Sequence, residues 1–366
     1  MSTLRIDVSC HGDAGFQLQL ACDIATRGVT AIYGPSGSGK STLLDCIAGL
    51  RDPAAGSSLR FGDSDWLAGA TPPWQRRVGY VFQDARLFPH LDVRENLLYG
   101  AARNAGMGEA VQDTITLEDV CGWLSLSDLL DKMPERLSAG QGQRVAIGRA
   151  LLSNPRLLLL DEPLANLDQL ARQQCLAYLR RAADALHLPM LYVSHDIEEV
   201  SNIADHVLLL AEGKLVDQGP LVELSCRLDT RLSHEEQAAA ILYATVSAHD
   251  QQFGLSQLQV DGQALFVNLI DNAPGEARRV RIPARDVSIC RERPTDTSIL
   301  NIFSTRVDAI ENSQDSRLLV RLALGEQFLL ARITRKSVNE LSLKVGDEVF
   351  AQVKSTALIM GPGQRA

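Results

Sequence analysis

The chain has 366 residues, 45% hydrophobic, 22% charged and 5% aromatic, a length for two domains or slightly more and a composition that excludes a disordered or collagen-like protein. Its 36 Lys and Arg against 45 Asp and Glu leave a net charge of -9, so no broad basic face for a nucleic-acid backbone is expected and nucleic acid is not expected as a partner. The seven cysteines are odd in number and never form a C-x-x-C pair, which excludes a disulfide framework and a zinc knuckle.

The N-terminus alternates polar and apolar residues, without the basic start and apolar core of a secretory signal. Residues 4–8 and 16–21 read as two strands, and 29–33 as a buried strand feeding a glycine loop. From 84 to 154 the pattern turns helical, with Asp92-Val93-Arg94-Glu95 as a helix start. Residues 157–161 and 190–194 read as buried parallel strands, each followed by a helix. The longest apolar runs, 157–160 and 207–211, are far short of the roughly 20 residues that a membrane-spanning helix needs. The expectation is a cytoplasmic α/β protein with a helical insert, whose membrane role would come through a partner.

After about residue 232 the character changes. Residues 233–243 read as a connecting helix, and from 245 onward short alternating segments between Gly, Asn and Asp turns predict an all-β tail. The stretches "GQALFVNLI…RRVRIPARDVSI" and "GEQFLLARI…DEVFAQVKSTALI" share the order of Gly turn, strand, loop, strand, polar step and strand. Such a repeat suits a small barrel built from two similar halves.

Chemistry concentrates at two places. Gly34-Pro35-Ser36-Gly37-Ser38-Gly39-Lys40-Ser41 fits the phosphate loop G-x-x-x-x-G-K-[ST], after a strand and before a helix, with Thr42 next. The glycines let backbone N–H groups face a phosphate, Lys40 can reach the β and γ oxygens of ATP, and the Ser41 hydroxyl can ligate Mg2+. In Leu157-Leu158-Leu159-Leu160-Asp161-Glu162 a buried strand delivers Asp161 to its carboxyl end to hold magnesium through water, and Glu162 follows to polarise the attacking water.

Leu137-Ser138-Ala139-Gly140-Gln141 resembles the LSGGQ signature of ATP-binding cassette (ABC) ATPases, with Ala139 where Gly is usual. In family order, Gln83 in "VFQDARLFPH" resembles the Q-loop, Leu167-Asp168 the D-loop and His195 in "LYVSHD" the switch histidine. The resemblance implies a P-loop cassette with a helical subdomain at about 84–154, and Mg2+ held with ATP by Ser41, Gln83 and Asp161. It further implies Glu162, His195 and Lys40 as catalytic residues and Phe16 as the candidate for stacking on adenine. Ser138, the Gly140 N–H, Gln141 and Asp168 would close over ATP bound to the other subunit of a homodimer.

Within the family the chain is similar to oxyanion importer ATPases, the molybdate type in particular. Its "TSILN" (residues 297–301) and the stretch after it resemble the molybdate-binding Mop type of small OB-like β domain, with Leu300 where relatives often carry Arg or Ala. The divisions expected are a cassette at 1–232, a connecting helix and first β half at 233–293, and a Mop-like (TOBE) domain at 294–362. The partners implied are two copies of a membrane permease and, indirectly, a periplasmic oxyanion-binding protein, with the chain peripheral on the cytoplasmic face of the inner membrane. Thr297, Ser298, Lys336, Ser337, Lys354 and Ser355 are the candidates for an oxyanion site in the tail. Sulfate, polyamine, iron and sugar importers share the cassette and a related tail. A soluble ABC ATPase would usually carry a second cassette or a long coiled-coil insert.

Overall fold

The leucine run at 157–160 forms a strand buried on both faces, and this is why it lacks the alternation of a half-exposed strand. The computed structural model describes residues 3–11, 15–101, 115–354 and 359–362. Two units are present, Met1–Gln218 and Gly219–Ala366. The first runs β1 (Thr3–His11), β2 (Gln17–Ala25), β3 (Val29–Tyr33), α1 (Lys40–Ala48), β4 (Ser58–Phe61), β5 (Ser64–Asp65), β6 (Val78–Val81) and α2 (Val93–Leu98). It continues with α3 (Leu117–Leu124), α4 (Ala139–Leu152), β7 (Leu157–Asp161), α5 (Gln169–Leu186), β8 (Met190–Ser194), α6 (Ile197–Ile203) and β9 (His206–Ala211), and β10 (Lys214–Pro220) crosses the boundary.

These strands form one ten-stranded sheet in the order β5-β4-β1-β2-β10-β9-β3-β8-β7-β6. The half from β9 to β6 is parallel, whereas β1 pairs antiparallel with both β2 and β4. Alternate residues of the central strands serve two cores. Leu157, Leu159, Leu191 and Val193 pack with Leu43, Leu44 and Ile47 of α1. Leu158, Leu160, Met190 and Tyr192 pack with Val145, Ile147 and Leu151 of α4 and with Leu176 and Leu179 of α5.

Between β6 and β7 the described residues contain helices and no strand. The predicted start at Asp92 is a capping box, in which Asp92 accepts from the Glu95 N–H and Glu95 from the Asp92 N–H.

The second unit opens with α7 (Leu221–Cys226) and the short α8 (Arg231–His234), followed by β11 (Ala239–Asp250). The connecting helix expected over 233–243 is therefore absent. Ala239 to Leu242 is a short apolar run, which periodicity alone cannot assign, and here it is buried within β11. The unit begins at Gly219 and not after residue 232, because Cys226 belongs to the tail's own core and its thiol donates to the Phe328 carbonyl.

The tail continues with β12 (Leu255–Val260), β13 (Gln263–Asn268), β14 (Ala277–Pro283), β15 (Val287–Cys290), β16 (Asn301–Ile310), β17 (Arg317–Leu324), β18 (Gln327–Thr334), α9 (Arg335–Glu340), β19 (Glu348–Val353) and β20 (Ile359–Pro362). Two five-stranded sheets result, β13-β12-β11-β14-β20 and β15-β19-β16-β17-β18. Each half contributes a three-strand meander and the strand beside it, and gives its last strand to the other half's sheet. The exchange pairs β15 with β19 and β20 with β14, so the two β segments form one unit without a break at 293/294.

The repeat read from sequence recurs in detail. Both long strands carry a register shift, at Val246/Ala248 and Val307/Ala309. Gln263 and Gln327, each the first residue of its strand, clamp the other half's backbone at Ser304 and Tyr243, donating to the carbonyl and accepting from the N–H.

Asn301, fully buried, makes the same two-way clamp on Phe266, at 2.7 and 2.9 Å. Replacing it with Leu strands the Phe266 N–H and carbonyl. The expected loss is about 1–3 kcal/mol of tail stability, read from urea unfolding with the urea dependence unchanged.

Candidate functional site

Four adjacent parallel strands end at one edge of the sheet, in the order β3, β8, β7 and β6. β3 leads into Gly34–Ser41, β8 into His195, β7 ends at Asp161 with Glu162 after it, and β6 leads to Gln83. The carboxyl edge of an open parallel sheet is where ligands bind in such folds. Residues far apart in sequence meet there because their strands are neighbours.

The phosphate loop is shaped by its glycines. A Cβ at Gly34 would lie 2.1 Å from the Leu210 carbonyl oxygen, and Gly39, at φ 100°, brings α1 under the ring of Phe16. Helices α2 to α6 are capped by the side chains of Asp92, Thr116, Ser138, Asp168 and Asp196, whereas α1 begins at Gly39 with no side-chain cap. The first N–H groups of α1, on Lys40, Ser41 and Thr42, lack the helical partner that residues further in possess. With the helix dipole they make an anion cradle. The Ser38 hydroxyl is buried beside it with no hydrogen-bond partner among the described residues. These features fit a polyphosphate.

Lys40 lies folded over the loop, donating to the Gly34 and Pro35 carbonyls at 2.8 and 2.9 Å. Burial lowers its pKa, while Glu162 and Asp161 pull it back up. Ser41 donates to Asp161 at 3.0 Å. Burial raises the Asp161 carboxyl above its ordinary range, with Glu162 and Asp45 adding to the effect and the Ser41 and Tyr80 hydrogen bonds opposing it. Such an oxygen set, partly desolvated and short of positive charge, fits a hard divalent cation.

Glu162 has φ 43°, a left-handed backbone rare outside glycine, and its N–H is fixed on the Val193 carbonyl. Its carboxylate lies 3.1 Å from His195 Nδ1. Strain of this kind, worth about 1–3 kcal/mol, concentrates where side chains must be aimed.

An open cleft of about 470 Å³ is lined by Phe16, Ser36, Gly37, Gly39, Lys40, Ser41, Thr42, Arg51, Gln83, Asp161 and Glu162. Ser138 lines a separate groove of about 330 Å³ with Gln83, Asn166 and Leu167. Sequence reading thus placed Gly34–Thr42, Gln83, Asp161, Glu162 and His195 together, and Phe16 with them. Ser138, Gly140, Gln141 and Asp168 lie apart. Ser138 and Gln141 close a reciprocal capping box, and Asp168 accepts from the Ala171 N–H, so both motifs cap helices within their own chain.

The tail candidates do not converge on one site. Thr297 and Ser298 are exposed on the loop before β16, near Lys354 after β19, since Asn301 pairs with Val353. Lys336 and Ser337 sit on α9 at the far end of β16, where Lys336 pairs with Glu340 and Ser337 is held by Thr334. A ten-residue strand separates the two groups by about 30 Å. Ser355 lies outside the described residues.

Sequence reading missed Tyr80, whose hydroxyl reaches Asp45 at 3.1 Å and Asp161 at 3.4 Å, and Arg51 at the cleft wall. Neither falls in a spaced motif, and only the alternation of β6, which aims Tyr80 toward α1, could have marked the first.

Residues 18–165 match the ABC transporter family and residues 297–360 the TOBE domain. The chain is similar to "Molybdenum import ATP-binding protein ModC" of Rhodopseudomonas palustris (strain HaA2), 47% identical, covering 94% of this chain and 92% of that protein. The proteins of that name from Methylococcus capsulatus and Pseudomonas aeruginosa are each 44% identical, covering 94% of this chain and 96% of theirs. Among solved structures, cbiO1 from Clostridium perfringens, described as part of the ABC transporter complex cbiONQ, aligns with a TM-score of 0.52 at 28% identity, over 60% of this chain and 89% of its own. A cassette at one end, a TOBE domain at the other and near-full-length identity of this order have one meaning: the chain belongs to the molybdenum import ATP-binding (ModC) family of ABC transporter ATPases.

Proposed function

We propose that the chain is the ATP-hydrolysing subunit of an ABC importer and energises molybdate uptake across the inner membrane. The observation that carries this reading is the match to ModC proteins through cassette and tail together, over 94% of the chain. Among the described residues no helix is long and apolar enough to cross a membrane, and the transport path then belongs to a permease. Two copies of the chain would sit peripherally on its cytoplasmic side, with a periplasmic oxyanion-binding protein delivering the substrate.

At the site, the loop N–H groups and Lys40 bind the phosphates, and Glu162, oriented by His195, takes the proton of the attacking water. Ser41, Asp161 and Gln83 would hold Mg2+, which when bound neutralises charge on the phosphate oxygens. Gln83 lines both the nucleotide cleft and the groove of the signature serine. It is thus placed to report occupancy of one to the other and, through residues 84–90, to the permease. Closure of Ser138 and the α4 N-terminus over ATP of a second subunit supplies the contact missing within one chain.

The test is ATP hydrolysis by the reconstituted transporter with its binding protein. Molybdate is expected to stimulate turnover and sulfate to leave it at the basal rate. Stimulation by sulfate alone would reassign the substrate.

A further inference from the structure

Behind His195 lies a buried polar cluster that phosphate binding does not use. Glu199 of α6 has a 5% exposed side chain and accepts hydrogen bonds from the Tyr192 and Ser194 hydroxyls, both at 2.8 Å, on one carboxylate oxygen. Its other oxygen lies 3.4 Å from Arg172 Nε. Ser194 Oγ in turn accepts from the Asp196 N–H at 3.0 Å. Both neighbours of His195 are therefore anchored to the cluster.

Arg172, four residues past Asp168, has a planar fork that touches two loops at once. Nη1 donates to Asp196 Oδ2 at 3.0 Å, and Nη2 to the Leu167 carbonyl at 3.3 Å. A small cavity of about 70 Å³ lies between Arg172, Glu199, Ser194, Asp196, His195, Glu162 and Ala165. Burial raises the Glu199 carboxyl above its ordinary range, so its ionised form depends on the hydroxyl donors and on Arg172.

We infer that Arg172 is a positioning residue for His195, tying the Leu167-Asp168 segment to the histidine loop so that a displacement of either moves the other. The inference rests on the reading of His195 as the partner of Glu162 in hydrolysis. Leu167 and Asp168 belong to the segment assigned above to subunit contact. Arrival of a second subunit there would thus be felt at His195 through one guanidinium, within the same chain. A polar group shared by two loops couples them only while its geometry holds, and a Lys, with a single ammonium on a flexible stem, cannot reproduce the fork.

The experiment is a double-mutant cycle on the full chain, with ATP binding and single-turnover hydrolysis measured separately. Arg172→Met is expected to lower the hydrolysis rate about tenfold to a hundredfold, with ATP affinity within about twofold of the parent. Arg172→Lys should fall between them. In a His195→Ala background Arg172→Met should cost nothing further, because the residue acts through the histidine. Undiminished hydrolysis in Arg172→Met, or losses that multiply in the double variant, would overturn the inference. Undiminished hydrolysis in His195→Ala would instead overturn the reading of the histidine. Should Arg172→Met fail to give a cooperative thermal transition, the same cycle is run with Arg172→Lys and read by the same criteria.

Discussion

Replacing Lys40 with Ala is expected to lower ATP hydrolysis by about a hundredfold to a thousandfold, the usual effect of removing one preorganised charge from a site where negative charge develops. Lys40 is 5% exposed, and among the described residues its ammonium donates to the loop carbonyls of Gly34 and Pro35, with the charges of Asp161 and Glu162 nearby. A buried ammonium held by two neutral carbonyls gains by exchanging them for anionic phosphate oxygens, because both partners of each hydrogen bond are then charged. The remaining cradle, the uncapped N–H groups of α1, does not depend on Lys40. Weak nucleotide binding should therefore survive while turnover does not. Hydrolysis and binding of a fluorescent ATP analogue, measured on the same preparation, check this. Turnover near the parent's would show that the loop is a helix-capping turn and not a nucleotide site.

How far the sequence could be read depended on the range of the forces involved. The phosphate loop is legible as a spaced motif because its pattern lies within eight consecutive residues, although Gly34 and Gly39 also answer to Leu210 and Phe16 from other elements. Asp161 was legible because a strand buried on both faces announces itself as a run of leucines and ends where the polar residues begin. Arg172, Glu199 and Tyr80 are different. Each is placed by contacts with other strands and helices, and no spacing in the chain marks such partners.

The tail shows both sides of this. Its repeat was visible, and it returns in the paired register shifts and the clamps of Gln263 and Gln327. The exchange of β15 and β20 between halves was not, because a short strand's sequence does not say which sheet it joins. The same gap explains the oxyanion candidates. Serines and lysines near turns looked equivalent in the sequence, yet β16 holds them at opposite ends.

The second large effect belongs to Glu162. Glu162→Gln keeps the side chain's length and a hydrogen-bonding group toward His195 Nδ1, and the backbone that aims it is fixed independently by the Glu162 N–H on the Val193 carbonyl. What the amide loses is basicity, and removal of a positioned general base lowers rates by about 10²–10⁴-fold. Phosphate binding should be undisturbed, because the loop, Lys40 and Ser41 are unchanged. Loss of one negative charge beside Asp161, whose pKa Glu162 helps to raise, should if anything ease the approach of a polyanion. The expected result is a variant that binds ATP at least as well as the parent and hydrolyses it slowly. In the proposed shared site, the signature helix of one subunit and the phosphate loop of another would then stay closed over the trapped ATP. Sedimentation should then show a dimer with ATP and a monomer with ADP. Hydrolysis at the parent's rate would remove Glu162 from the reaction, and a monomer at saturating ATP and high protein concentration would remove the shared site.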